Sequence, residues 1–264
     1  MDNDGTPPRL DSTVINRQYP DYVYRKVVVS NNILEDFNFD EPIRINGGVK
    51  NNQHTKRGEN SRGEEYCGRS VHKARNTIRR LAQCNFNEDD KFLTLTLNND
   101  NDFNIESIKE CDAEFRLFIR ALRRRFRELK YIAVREFQKR GAVHYHILTN
   151  FPYIPKQELA EIWGHGFVQI NAVTNVFGIG AYISKYLSKE FGGTRFKGVK
   201  TYITSRNLER PTFYYGDDAD EIYKELVKQS EMPSFENTFK SKYNGFVYFS
   251  EYNLTQLPAR ESKK

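Results

Sequence analysis

The segment Glu136-Phe-Gln-Lys-Arg-Gly-Ala-Val-His144-Tyr-His146-Ile-Leu constrains the fold more than any other part of the chain. It sets two histidines one residue apart inside an apolar, strand-like run. Successive strand residues point to opposite faces, so His144 and His146 share one face. The intervening Gln-Lys-Arg-Gly reads as a hairpin turn, which lays 131–137 against 142–149 and brings Glu136 beside the histidines. Imidazoles on an inward face need partners, because burying an unpaired polar group is costly. Two imidazoles and a carboxylate can hold a divalent cation and leave coordination positions open. Glu136 is the best placed carboxylate. Gln138 is an alternative third ligand, since in a strand it shares the face of Glu136. The plainer reading is a pair of histidines satisfied within the core. Nitrogen and oxygen donors with open positions suit Mn²⁺, Mg²⁺ or iron.

About thirty-five residues downstream stands Tyr182-Ile-Ser-Lys185-Tyr186-Leu-Ser-Lys189. At helical spacing Tyr182 and Tyr186 are neighbours on one face, and Lys185 and Lys189 form a parallel pair beside them. A tyrosine hydroxyl titrates near pH 10 and is a poor nucleophile until a cation stabilises its anion. Without the histidines upstream, this segment would read as an amphipathic helix with aromatic packing. His165, between two glycines, is a loop residue that can reach a ligand or simply stand in solvent.

The chain has 264 residues and carries a formal charge of +6. That charge is unevenly placed. Residues 1–55 and 211–264 each stand at −2, so 56–210 stands at +10. The positive charge coincides with the histidine and tyrosine segments, which suits a polyanionic partner. No apolar run approaches the roughly 20 residues that span a bilayer, and the start has neither region of a signal peptide. A cytoplasmic protein is expected. Cys67, Cys84 and Cys111 form no close pair, so neither a disulfide framework nor a zinc ribbon is expected. No Gly-x-x-x-x-Gly-Lys-[Ser/Thr] run marks an attached ATPase.

Residues 1–60 are polar and rich in Asn, Asp, Gly and Pro, and read as an arm with one short strand at 23–30. A basic helix is predicted at 69–84 and a strand at 91–97. The helix at 106–129 is clearest: Ile108, Cys111, Phe115, Phe118, Leu122, Phe126 and Leu129 recur at helical spacing, with arginines largely off that stripe. A helix opened by Pro155, a strand at 166–173 and a helix at 178–190 follow. The remainder carries an aromatic piece at 211–215, an acidic helix at 218–228 and a strand at 245–249. This divides the chain into an arm (1–60), a central domain (61–210) and a C-terminal extension (211–264).

Three segments in order, Phe92–Asn99, Glu136 with His144-Tyr145-His146, and Tyr182–Lys189, resemble the HUH endonucleases. The order is that of rolling-circle replication initiators of small phages and plasmids, and the resemblance covers roughly 69–210. It implies an α+β fold, with a central antiparallel sheet of about five strands flanked by helices. It implies that Glu136, His144 and His146 bind Mg²⁺ or Mn²⁺, and that Tyr182 or Tyr186 attacks, with Lys185 or Lys189 assisting. It implies nicking of single-stranded DNA or an origin hairpin through a 5′-phosphotyrosine, in a prokaryotic host that supplies helicase and polymerase. Arg79, Arg80, Arg116, Arg120, Arg123 and Arg127 are the expected DNA contacts. A transposase of the same chemistry and a non-cutting nucleic-acid-binding module are the competing readings. An iron oxygenase is disfavoured, since its usual His-x-Asp pattern is not present.

Overall fold

The computed structural model describes residues 20–45, 63–173, 182–183, 200, 202–227 and 232–255. The chain divides into two compact units, one of Met1–Gly58 with Pro211–Lys264 and one of Glu59–Arg210. Each is built on a five-stranded antiparallel sheet, so the fold is α+β with sheets flanked by helices. Among the described residues, no helix is long and apolar enough to cross a membrane.

The unit of Glu59–Arg210 holds α1 (Gly63–Asn85), β3 (Lys91–Leu95), α2 (Ile108–Arg125), β4 (Tyr131–Phe137), β5 (Val143–Thr149), α3 (Lys156–Trp163), β6 (Val168–Ala172) and β7 (Tyr202–Thr204). Strand order is β6-β3-β5-β4-β7. The three inner strands are apolar on both faces, as a sheet covered on both sides requires. One face carries Leu93, Leu95, Ala133, Val143, Tyr145 and Ile147, packed against the apolar stripe of α2 (Cys111, Phe115, Phe118, Leu122) and against Leu159 and Trp163 of α3. The opposite face carries Phe92, Ile132, Val134 and Leu148 beneath Ile78, Leu81 and Ala82 of α1, and Ile183 joins this second core. Ser107 caps α2, accepting from the backbone N–H of Glu110, and helix dipole logic suits the run Arg123–Arg125 in its last turn. Pro155 stands immediately before α3 rather than inside it, and Gly164 closes that helix in the left-handed conformation.

The other unit holds β1 (Tyr22–Ser30), β2 (Ile33–Arg44), β8 (Thr212–Tyr215), α4 (Asp217–Leu226), β9 (Phe235–Lys240) and β10 (Phe246–Asn253), ordered β8-β1-β2-β10-β9. The expected N-terminal arm is therefore corrected: 22–44 is a long hairpin at the centre of a sheet, paired Val27↔Asp36 and Val29↔Leu34. The expected C-terminal extension supplies the other three strands. Ion pairing explains how β2 tolerates a buried carboxylate. Asp36 is buried, yet it accepts from Arg25 Nε at 2.8 Å and Nη2 at 2.9 Å, and Arg25 also reaches Asp220 of α4 at 2.7 Å. Burial alone would disfavour the guanidinium charge, but Asp36 and Asp220 together hold the Arg25 pKa above its usual value.

Candidate active site

Register places the three candidate ligands. Glu136 on β4 lies directly across from His144 on β5, and Val134 lies across from His146. Opposed residues of antiparallel strands share a face, so the carboxylate and both imidazoles emerge on the α1 side of the sheet. Their ligand atoms all lie within 4.8 Å of one another, and the three can hold a metal ion. His146 is nearly buried; Glu136 and His144 are half-buried. Gln138, the alternative ligand, is turned to other use: its side-chain oxygen accepts from Arg140 Nε at 3.0 Å.

His146 is held from both sides. Nε2 stands 2.8 Å from a Glu136 carboxylate oxygen, and Nδ1 stands 3.3 Å from Thr94 Oγ1 on β3. Thr94 faces His146 across the β3–β5 ladder. With Nε2 as a metal ligand, Nδ1 would carry the proton and donate to Thr94, which would fix the ring's orientation.

His144 is the opposite case. Its ring lies 4.7 Å from that of His146, and its Nε2 is buried with no hydrogen-bond partner among the described residues. Burial, then the neighbouring His146 ring and Arg140, push its pKa down to about 4 against the pull of Glu136. The ring is therefore neutral at ordinary pH, the form that ligates metals. A buried imidazole nitrogen with no partner, aimed into a group of two other ligands, fits a divalent cation. The donor set of two nitrogens and one carboxylate fits Mn²⁺ or Mg²⁺ with open positions.

Phe92 links this group to the tyrosine segment. Its ring stacks on His146 at 6.0 Å and meets the Tyr182 ring edge-on at 5.0 Å. Tyr182 is 43% exposed while its neighbour Ile183 is fully buried in the second core. Ile183 is buried in the second core, and the Tyr182 ring lies against Phe92, one ring removed from His146. Lys185, Tyr186 and Lys189 lie outside the described residues, as does the helix expected at 178–190 apart from these two positions.

On the reverse face, Tyr145 projects from between the two histidines. Its hydroxyl donates to Asp112 Oδ1 of α2 at 2.8 Å. Asp112 also receives Arg135, the neighbour of Glu136, at 2.8 and 2.5 Å, and Arg135 donates further to the Lys200 carbonyl. One carboxylate thereby holds both strands at the positions flanking the ligands. Burial and this carboxylate raise the Tyr145 pKa well above its usual value, so Tyr145 is structural.

The remaining expected residues separate. Arg79 and Arg80 lie on α1, over the face that carries the metal group. Arg116, Arg120 and Arg123 lie on α2, with Arg127 just beyond it, over the other face, and all four are exposed. His165 is not a ligand of this group. It faces Glu114 at 3.1 Å and Asn101 at 3.1 Å and packs edge-on against Phe103 and Trp163. Cys111 is buried and free, its pKa pushed up to about 12 by burial and by Asp112. The side chain of Cys67 lies outside the described residues. Thr94 and Arg140 were not singled out by sequence. Thr94 stands in a strand alternation, but only the cross-strand register puts it at His146. Arg140 ties the hairpin tip to Asn99 and the Leu97 carbonyl, and nothing in Gln-Lys-Arg-Gly marks that contact.

The model of the replication-associated protein ORF2 family matches residues 90–191, less than half of the chain. The matched stretch contains the metal group, Phe92 and the tyrosine segment, and the match supports a replication initiator. Neither curated proteins nor solved structures yield a match.

Proposed function

We propose that this chain is a rolling-circle replication initiator of the HUH type, which nicks and rejoins one DNA strand through a 5′-phosphotyrosine. The observation that carries this reading is the unpartnered, buried Nε2 of His144 beside Glu136 and His146, with the Tyr182 ring one aromatic contact away across Phe92. A Mg²⁺ or Mn²⁺ ion held by these three residues would polarise a phosphodiester oxygen. The chain's own groups do the rest. Thr94 would orient His146 through Nδ1, and the neutral His144 needs no deprotonation to ligate.

Tyr182 is the described candidate nucleophile, with Tyr186 as its partner on the expected helix face. The tyrosine oxygen forms a bond to phosphorus as the bond to the 3′ oxygen breaks, and the tyrosine proton is lost to solvent. The 5′ phosphate stays on the protein and a 3′ hydroxyl is left for a polymerase. Attack of a 3′ hydroxyl on the phosphotyrosine reverses the step and rejoins the strand. Lys185 or Lys189 would stabilise the phenolate and the phosphate charge. Unwinding and synthesis fall to host helicase and polymerase.

The test is cleavage of a labelled pool of single-stranded and hairpin oligonucleotides. Nicking that needs Mn²⁺ or Mg²⁺ and drops at least a hundredfold in His144→Ala and His146→Ala supports the reading. Binding with no nicking by the metal-loaded protein supports the binding-module alternative.

A further inference from the structure

β9 is the outer strand of its sheet, and β10 is its one strand partner among the described residues. Every residue of β9 is exposed, Phe235 at 54% and Phe239 at 44%. An open edge is a row of unpaired backbone donors and acceptors, a template for another strand. Proline, glycine and register shifts, which blunt such edges, are absent from Phe235–Lys240. The phase of the ladder fixes which backbone groups face outward. Ser241 N–H donates to the Gly245 carbonyl at 2.7 Å, one step beyond the Lys240↔Phe246 pair. On the far side of β10, Leu254 N–H donates to the Asn32 carbonyl at 2.8 Å, one step beyond the Asn253↔Ile33 pair. Bonded and non-bonded pairs alternate along an antiparallel ladder. Val247, Phe249 and Glu251 therefore bond to β9, through Phe239, Asn237 and Phe235. Glu236, Thr238 and Lys240 turn their N–H and C=O groups to the open edge.

We infer that a second copy of this chain adds to this edge, β9 antiparallel to β9, and joins the two five-stranded sheets into one. The order of charges along the strand selects this occupant, because it is complementary to itself. In the register centred on Thr238, Glu236 stands across from the partner's Lys240, and Lys240 stands across from the partner's Glu236. Thr238 meets the partner's Thr238. All three are outward-facing positions, so the same register makes the ladder hydrogen bonds and both ion pairs. No other in-phase register sets Glu236 across from Lys240, and parallel in-register addition would set like charges side by side. Opposite charges and paired threonines are favourable cross-strand neighbours. Both charged side chains lie on one face, where Ser250 Oγ donates to Glu236 at 3.3 Å and Lys240 Nζ lies 5.9 Å from the Phe246 ring. On the other face Phe239 stands across from the partner's Asn237 and diagonal to the partner's Phe239, within reach of an aromatic side chain. Pairing therefore covers an exposed ring as well as the open backbone. This association stands independently of the nicking chemistry.

The experiment is sedimentation velocity of the full chain, without metal or DNA, from roughly 1 to roughly 300 µM. The wild type should pass from monomer to dimer across that range. Thr238→Pro should weaken association at least about tenfold while the monomer keeps the wild-type circular dichroism, because the lost N–H faces outward and an edge strand tolerates proline there. Glu236→Lys and Lys240→Glu should each weaken association about tenfold. Mixed together, these two single variants should form a heterodimer. The double exchange Glu236→Lys/Lys240→Glu should dimerise as the wild type does. A misfolded variant would do neither, so rescue separates lost pairing from lost structure. A wild type that stays monomeric throughout would overturn the proposal. So would a dimer that survives Thr238→Pro, or one whose charge variants are rescued neither by mixing nor by the double exchange.

Discussion

His144 leaves a buried ring nitrogen unsatisfied in the metal-free protein. Leaving a buried polar atom unpaired costs on the order of 1–3 kcal/mol, and no side chain or backbone group among the described residues compensates Nε2. His144→Leu should therefore raise the stability of the metal-free protein by up to about 1 kcal/mol while abolishing the rise in melting temperature expected of the wild type with Mn²⁺. Thermal unfolding with and without Mn²⁺ checks both, and a destabilised metal-free variant would show that the ring has a partner it needs. The same ring sets a pH dependence. Unfolded, it takes up a proton near pH 6.5; folded, only near pH 4. Between those values the unfolded state holds more protons, so stability of the metal-free wild type should fall as pH drops from about 6.5 toward about 4. In urea titrations across that range, His144→Leu should show a shallower fall, and an equal slope would remove His144 as the cause. Glu136, His144 and His146 were legible in the sequence because strand alternation and a four-residue turn are local facts. Thr94 was not, because its contact with His146 depends on which strands pair and in what register.

Among the elements, the β4–β5 hairpin depends on a helix that touches none of the ligands. Asp112 of α2 accepts from Arg135 and Tyr145, and those two side chains flank Glu136 and separate the histidines. Removing Asp112 strands a buried guanidinium. Asp112→Ala should therefore cost about 3 kcal/mol, read by denaturant unfolding, and should weaken Mn²⁺ binding severalfold in the folded fraction, read by titration at low temperature. Asp112→Asn should recover part of both. Unchanged metal affinity in a folded Asp112→Ala would mean that backbone pairing alone positions the ligands. The strands β4 and β5 were legible almost to the residue, and α2 was legible as a helix, although it ends at Arg125 and not at 129. β2 was not. Its Glu35, Asp36 and Asn38 read as part of a polar arm, and a buried Asp36 is made tolerable by Arg25 of the neighbouring strand together with Asn38. β9 is exposed throughout and is defined by pairing with β10, another non-local fact.

At the scale of the whole molecule, charge and chemistry divide between the two units. The unit of Glu59–Arg210 carries net +8 and the group of Glu136, His144 and His146, whereas the other unit carries net −2. Composition already concentrated the charge in the middle of the chain, but it read the two ends as separate appendages. Residues 22–44 and 212–253 form one sheet, which no local pattern announces. Within the basic unit, the arginines expected to contact DNA sit on opposite sides of one sheet. Those of α1 share the face of the metal group, so Arg79→Glu/Arg80→Glu should lower single-stranded DNA affinity about tenfold or more and flatten its salt slope by about one unit. Arg116→Glu/Arg120→Glu on α2 should do markedly less. Equal losses in anisotropy titrations over a salt series would show that DNA wraps both faces.

The most direct measurement of the central claim is covalent capture. The protein is incubated with Mn²⁺ and a labelled pool of single-stranded and hairpin oligonucleotides, run on a denaturing gel, and the adduct digested and mapped by mass spectrometry. The expected result is a metal-dependent adduct on Tyr182 or Tyr186, absent from Tyr182→Phe/Tyr186→Phe and from His144→Ala. A protein that binds both Mn²⁺ and single-stranded DNA yet forms no adduct, or forms one without metal, would contradict it.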